Sequence, residues 1–429
     1  MFGFANFLLL ALFAAAVFDL IFALARGDGL RGALHGLWNT PHLLLGQQLA
    51  EWRLQLGRIL FAAGLAAYEI SVVFCNSMAR QNWAWVQGVM SPVLEWLAFL
   101  CFGAKILFGT RYTWRELLAG GALYFIARWV YFNSQNIWWI GIVVAVLAAK
   151  DVPLRRPLQV YFASGCAAMA VVLALHFAGI VAPDLTSERM GALRGTYGYG
   201  HPNTFGGLVF GLVLAYALLR AQKVRWVDCL LVFAIGVFLL VGPASRSAAL
   251  CTLALAVGLV FCRLRAGHSV PRWWPGTCAG MVGLTAAVSY LLPLLVIKVG
   301  PWNNDIGPAW LAKLDSLLTC RISLTWMAYR LLDVKIAGQV FNWPTVDNSF
   351  AFALFQFGPV VAALLGILFA AALLGHAKQG RRVEVCCLFA MLAYAYMEVQ
   401  PFHLTTNPTA LLLCGAVFAQ TSARWQKIE

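Results

Sequence analysis

The stretch Ala351-Phe-Ala-Leu-Phe-Gln-Phe-Gly-Pro-Val-Val-Ala-Ala-Leu-Leu-Gly-Ile-Leu-Phe-Ala-Ala-Ala-Leu-Leu-Gly375 contains no charged side chain. About 20 helical residues cross the roughly 30 Å of hydrocarbon in a bilayer, so this run is long enough to span one. Its apolar residues do not alternate with polar ones, as they would in a barrel strand. Lipid admits only helices or closed barrels, because every peptide N–H and C=O must bond within the protein. The stretch therefore predicts a transmembrane helix over 351–375.

Runs of the same kind recur at 3–24, 58–76, 86–108, 117–133, 135–149, 158–182, 202–219, 226–242, 247–262, 276–297, 383–397 and 408–420. The expected fold is all-α, a polytopic transmembrane helix bundle of about 12–14 spans. Composition agrees: 62% of the 429 residues are apolar and 11% are charged, where soluble chains are about a quarter charged. The segment 38–56 is amphipathic and is expected to lie along the interface. Met1 to Leu24 lacks the basic start and small-residue cleavage site of a signal peptide and reads as a retained first span.

A net charge of +14 raises the question of nucleic acid, but the charge is dealt out in small groups between apolar runs rather than gathered in one stripe. That pattern encodes topology. With 26–58, 104–116, 150–157, 220–226, 262–272, 376–382 and the C-terminus on the cytoplasmic side, 21 of the 31 Lys and Arg lie inside. The eleven cysteines fall mostly within apolar runs, Cys386 and Cys387 are adjacent, and no CxxC spacing occurs, so neither a disulfide framework nor a metal site is expected.

On the side opposite the basic loops lie 184–200, 242–247, a long external loop near 298–350, and 398–407. A structureless loop of that length would be unusual, and the spacing of Leu311, Leu314, Leu318, Ile322, Leu324 and Trp326 predicts short helices over 309–332 that lie on or dip into the outer interface.

Four polar features fall on this side. Arg194-Gly-Thr-Tyr-Gly-Tyr-Gly-His201-Pro202-Asn203 precedes a span, with Pro202 suited to a first helical turn whose N-terminus favours an anion. Gly242-Pro-Ala-Ser245-Arg246-Ser247 puts an arginine at a span start, where it either faces a cavity or snorkels to headgroups. Leu314-Asp-Ser-Leu-Leu-Thr-Cys-Arg321 offers a guanidinium fork for phosphate oxygens, or a solvated helix charge. Val346-Asp347-Asn348-Ser349-Phe350 places Asp347 either as a helix cap or as a partly desolvated base for a sugar hydroxyl. Glu398 and His403 are further candidates in the last external segment. Glu69 and Glu95, within spans, read as partners between helices, and His176 reads as core.

Taken in order, Arg-x-x-x-Gly-Tyr-Gly-His-Pro-Asn, Ser-Arg-Ser, Asp-Ser-Leu-Leu-Thr-x-Arg and Asp-Asn-Ser-Phe, with a Gly ten residues after the Asn, resemble the Wzy-like polysaccharide polymerases of the O-antigen ligase superfamily. The resemblance covers about 155–410. It implies 1–150 as N-terminal spans and 151–429 as the catalytic region, with external loop 298–350. It further implies inverting, metal-independent glycosyl transfer at the outer face of a bacterial plasma membrane, with no cofactor. Donor and acceptor would be undecaprenyl-diphosphate-linked glycans, and partners the bilayer, a chain-length regulator and a flippase.

By motif, Arg194, Arg246 and Arg321 take over the stabilisation of the diphosphate. Asp347 stands where related ligases have the proposed histidine base, and Cys320 stands where the family more often has Gly. The resemblance thus implies Asp347, Arg246 and Arg321 as catalytic. His201, Asn203, Ser245, Asn348, Glu398 and His403 are expected to bind substrate with Arg194. Tyr197, Tyr199, Trp302, Trp310 and Trp343 are candidates to stack on sugars. Competing readings are transfer of finished glycan to another acceptor, a lipid-linked oligosaccharide transporter, and a non-catalytic scaffold. A transporter would show charges near the midplane and paired broken helices.

Overall fold

A computed structural model describes residues 2–25, 32, 35, 38, 42–43, 50–181, 187–189, 192–296, 308–318 and 320–418. The protein is all-α and polytopic. Its helices are α1 (Phe2–Ala25), α2 (Ala50–Cys75), α3 (Ser91–Phe108), α4 (Trp114–Ser134), α5 (Ile137–Ala148), α6 (Arg155–Phe177) and α7 (Pro202–Leu219). They continue as α8 (Trp226–Val241), α9 (Arg246–Leu264), α10 (Trp274–Leu291), α11 (Ala309–Leu317), α12 (Arg321–Leu331), α13 (Pro359–Lys378) and α14 (Arg382–Met397). Seven helical stretches among the described residues are long and apolar enough to cross a membrane: 50–75, 86–108, 155–177, 202–219, 246–264, 274–295 and 359–378. Val227, Leu230, Val257 and Ile367 are mostly exposed, which suits helices whose outer solvent is lipid.

The chain forms two compact units, residues 1–125 with 141–183 and 417–429, and residues 126–140 with 184–416. In the first, α2 packs along α3 and against α6. Small residues allow that approach: a Cβ on Gly64 would sit 2.9 Å from the Phe102 ring. Buried Lys150 lies 3.4 Å from Glu116 and 3.5 Å from Asp151, and buried Lys105 donates to Thr110 Oγ1 at 2.7 Å. The charge on Lys150 is therefore compensated, and Lys105 is hydrogen-bonded to neutral oxygens of Thr110 and of the Lys150 carbonyl. In the second unit, α8 and α9 form a helical hairpin, α9 packs on α14 and α7, and α10 packs on α13.

The span expected over 351–375 is not one helix. It begins with an α-turn at Ser349–Phe352 and a π-turn at Ala353–Phe357, breaks at Gly358, and resumes as α13 from Pro359. Gly358 has φ +87°, and a Cβ there would meet the Ile336 carbonyl oxygen at 2.1 Å; a Cβ on Gly338 would meet the Gln356 oxygen at 2.0 Å. The segment around 336–338 thus crosses directly over the break, a close approach that only glycine permits.

The short helices expected over 309–332 are α11 and α12, which are parted at Cys320, a residue in the left-handed region at φ +64°. One further expectation is corrected. The run 408–420 opens as a 3-10 helix, Pro408–Leu413, followed by a short α-turn at Cys414–Val417, and its last residues lie outside the described ones. The loop 184–200 contains a small antiparallel ladder, Ser187–Arg189 with Ala192–Arg194, that hydropathy does not reveal. Of the amphipathic segment 38–56, residues 50–56 open α2, Trp38 and 42–43 are described, and the rest lies outside the described residues. Trp302 does too.

Candidate functional site

Five chain segments of the second unit meet in one buried polar network. Arg321, the first residue of α12, is 8% exposed, and Glu398, directly after α14, is 4% exposed. They form an ion pair through Arg321 Nη2 and Glu398 Oε1. Arg321 also donates to the Leu318 carbonyl at 3.0 Å, to Ser247 Oγ at 3.3 Å and to the Met397 carbonyl. Asn203, on the first turn of α7, donates to the same Glu398 oxygen at 3.1 Å. Behind Asn203 stands Arg194, which donates to Asn203 Oδ1 at 3.0 Å and to the Ala244 carbonyl at 3.1 Å.

Local sequence explains why each group arrives there. Asp315 is fully buried and accepts from Ile322 N at 2.8 Å, Ser323 N at 3.1 Å and Ser323 Oγ at 2.9 Å. It thereby caps α12 and fixes the turn that aims Arg321. His201 adopts an extended conformation, its Nδ1 accepts from Asn203 N at 3.1 Å, and Pro202 opens α7. His201 itself is an exposed helix cap. A Cβ on Gly206 would fall 2.2 Å from Ser245 Oγ, and one on Gly207 would fall 1.9 Å from Gln400 Oε1. The two glycines let α7 press against the start of α9 and against Gln400. Gln400 accepts from the Tyr394 hydroxyl at 2.7 Å and donates to the Asn203 carbonyl at 3.2 Å, holding Asn203 in place.

Asn348, and not Asp347, caps the turn that follows: its Oδ1 accepts from Phe350 N at 2.9 Å and Ala351 N at 3.1 Å, while Nδ2 donates to Ser289 Oγ at 3.1 Å. Ser349 Oγ donates to the Glu398 carbonyl at 2.5 Å. Asp347 is half-buried and adds negative field at Glu398. Burial is the main influence on Glu398, pushing its carboxyl up to about 7; Arg321 opposes this, Asp347 adds to it, and hydrogen bonds from Ser247 and Arg321 oppose it.

Comparison with protein-family models, curated proteins and solved structures gives no match to this chain.

The network joins Arg194, Asn203, Arg321 and Glu398 from the sequence-derived set, with Asp347 in electrostatic reach. Ser245 is buried against Gly206 at the turn before α9. Arg246 opens α9 with an exposed side chain, and the next residue, Ser247, carries that helix's contact to Arg321. Successive helical residues point about 100° apart, so the two do not face the same way. His403 packs under Trp138, ring centroids 3.9 Å apart, and burial pushes its imidazole down to about 4. Tyr199 is fully buried against Phe205, so it forms core and does not offer a face to sugars. Tyr197 stacks on Phe205 at 4.9 Å, whereas Trp310 and Trp343 are exposed.

Sequence reading undervalued Ser247, Gln400, Tyr394 and the capping role of Asp315. The available signal was a polar residue set in an apolar context, as in Val399-Gln400-Pro401.

Chemically, the arrangement offers guanidinium groups for an anion, a carboxylate poised near neutrality, and a second carboxylate beside it. Arginine forks suit phosphate oxygens.

Proposed function

We propose that this protein is a membrane glycosyltransferase that polymerises undecaprenyl-diphosphate-linked oligosaccharides at the outer face of a bacterial plasma membrane, by an inverting route. The observation that carries the reading is the convergence of Arg194, Asn203, Ser247, Arg321 and Glu398, from five separate segments, on one buried network. Arg194, Asn203, Ser247 and Arg321 are motif positions by which the sequence resembles the polymerases, Glu398 joins them from outside the motifs, and a scaffold or a lipid-spanning bundle needs no such cluster.

In the proposed step, Asp347 takes the proton of an acceptor sugar hydroxyl. The hydroxyl oxygen bonds to the donor's anomeric carbon from the face opposite the leaving group. The bond from that carbon to the phosphate oxygen breaks, and its electron pair leaves with undecaprenyl diphosphate. Negative charge grows on the departing diphosphate, so guanidinium groups already in position favour the transition state over the ground state. Arg194 and Arg321 supply that charge, with Arg246 at the exposed rim. Apolar helix faces accommodate the polyprenyl chains.

Purified protein in detergent with a lipid-linked repeat unit and EDTA is expected to yield a ladder of longer glycans, releasing one undecaprenyl diphosphate per bond formed. Asp347→Asn should slow ladder formation by about 10²–10⁴-fold, the usual contribution of a general base. Transfer only to a non-glycolipid acceptor would replace the polymerase reading by a ligase. Lipid movement across liposomes without bond formation would replace it by a transporter.

A further inference from the structure

The diphosphate reading leaves one feature of the network unexplained: the group that holds Arg321 is itself an anion. Glu398 Oε1 pairs with Arg321 and accepts from Asn203 Nδ2 at 3.1 Å, and Ser247 lies against the same guanidinium at 3.3 Å. A carboxylate oxygen thus occupies a seat whose donors are those that would receive a phosphate oxygen. The seat is closed, since both partners of the pair are more than nine-tenths buried. A diphosphate cannot reach Arg321 unless Glu398 gives up its place.

We propose that Glu398 is an internal anion that fills the diphosphate seat in the resting protein and vacates it as a neutral acid when substrate binds. This rests on the diphosphate reading and adds a proton-coupled exchange to it. On substrate entry the Arg321–Glu398 contact breaks, Arg321 bonds phosphate oxygen, and one proton from solvent joins the Glu398 carboxylate. The surroundings favour that proton. Facing Glu398 are Arg321 of α12, Ser247 and Cys251 of α9, Tyr394 of α14, Asn203 of α7 with Arg194 behind it, and Asp347. Once Arg321 is engaged by the diphosphate, Glu398 loses its ion-pair partner, and Asp347, an arriving dianion and burial oppose its charge against the hydrogen bonds from Asn203 and Ser247. Its carboxyl already titrates at about 7 while the pair is intact. The exchange keeps the buried guanidinium compensated in both states, so Arg321 is never left as a lone charge in a dry site. Glu398 acts here as a positioning residue for Arg321.

The test uses full-length protein in detergent and a short-chain prenyl diphosphate sugar, a diester that carries no titrating phosphate near neutrality. Proton linkage predicts that the wild-type Kd rises about tenfold per pH unit above about pH 7. Glu398→Gln should bind with little pH dependence and about tenfold or more tightly than wild type at about pH 8. Asp347→Asn should keep the wild-type slope. Calorimetry on wild type alone, in two buffers of different ionisation enthalpy, should show uptake of close to one proton per ligand at about pH 8; this holds the test open if Glu398→Gln fails to fold. A slope retained in Glu398→Gln, a slope lost in Asp347→Asn instead, or binding without proton uptake would overturn the inference and leave the diphosphate reading standing. No binding at any pH by any of the three proteins would overturn the diphosphate reading and this inference with it.

Discussion

Arg321→Lys is expected to leave the protein folded and to slow polymerisation by about 10²–10³-fold, the loss typical of removing one preorganised donor to a developing oxyanion. The expectation follows from how many directions the guanidinium serves. Its nitrogens donate to the Met397 carbonyl, the Leu318 carbonyl, Ser247 Oγ and Glu398 Oε1. An ammonium is a compact point charge on a flexible stem; it can keep the ion pair, but it lacks the planar fork and cannot also hold two phosphate oxygens. The charge survives, so stability should change little, while transition-state stabilisation falls. Ladder formation, measured alongside helix content by circular dichroism, separates the two. A Lys variant with the wild-type rate would remove Arg321 from the chemistry.

Glu398→Ala should lower stability by about 3–5 kcal/mol, the usual result of removing one partner from a buried ion pair. Arg321 would remain 8% exposed with its anion gone, and Asn203 would lose the acceptor that now ties it to α14. The double variant Glu398→Leu with Arg321→Met is expected to recover much of the loss, because apolar replacement of both partners avoids burying a lone charge. Denaturant unfolding in detergent reads both effects. Equal stability of Glu398→Ala and wild type would mean that the pair is solvated and that the seat is open at rest.

The membrane character was legible because it rests on length and composition, which no tertiary contact can override. Breaks in helices were harder to read, for a physical reason. Ala351 to Gly375 reads as one span because hydropathy averages over Gly358-Pro359, and the cause of the break lies elsewhere, in the 336–338 segment that crosses it. Over 309–332 short helices were expected, but not where they part, because the left-handed residue Cys320 divides two helices that share a single apolar periodicity. At the site, Arg194, Asn203, Arg321 and Glu398 were visible as polar residues in apolar surroundings. What sequence could not supply was the hub. Glu398 was one candidate among several until the fold brought α7, α9 and α12 onto it, with Arg194 behind Asn203. Asp347 and Asn348 are adjacent, and only the hydrogen bonds assign the cap to Asn348 and leave Asp347 beside Glu398.

The most direct test of the account is an experimental structure of the protein with an undecaprenyl-diphosphate-linked sugar bound. The account predicts phosphate oxygens within hydrogen-bonding distance of the Arg321 guanidinium, Arg194 on the same diphosphate or holding Asn203 against it, and Glu398 turned away from Arg321. A diphosphate bound elsewhere, with the Arg321–Glu398 pair and the Asn203 contact intact, would contradict it.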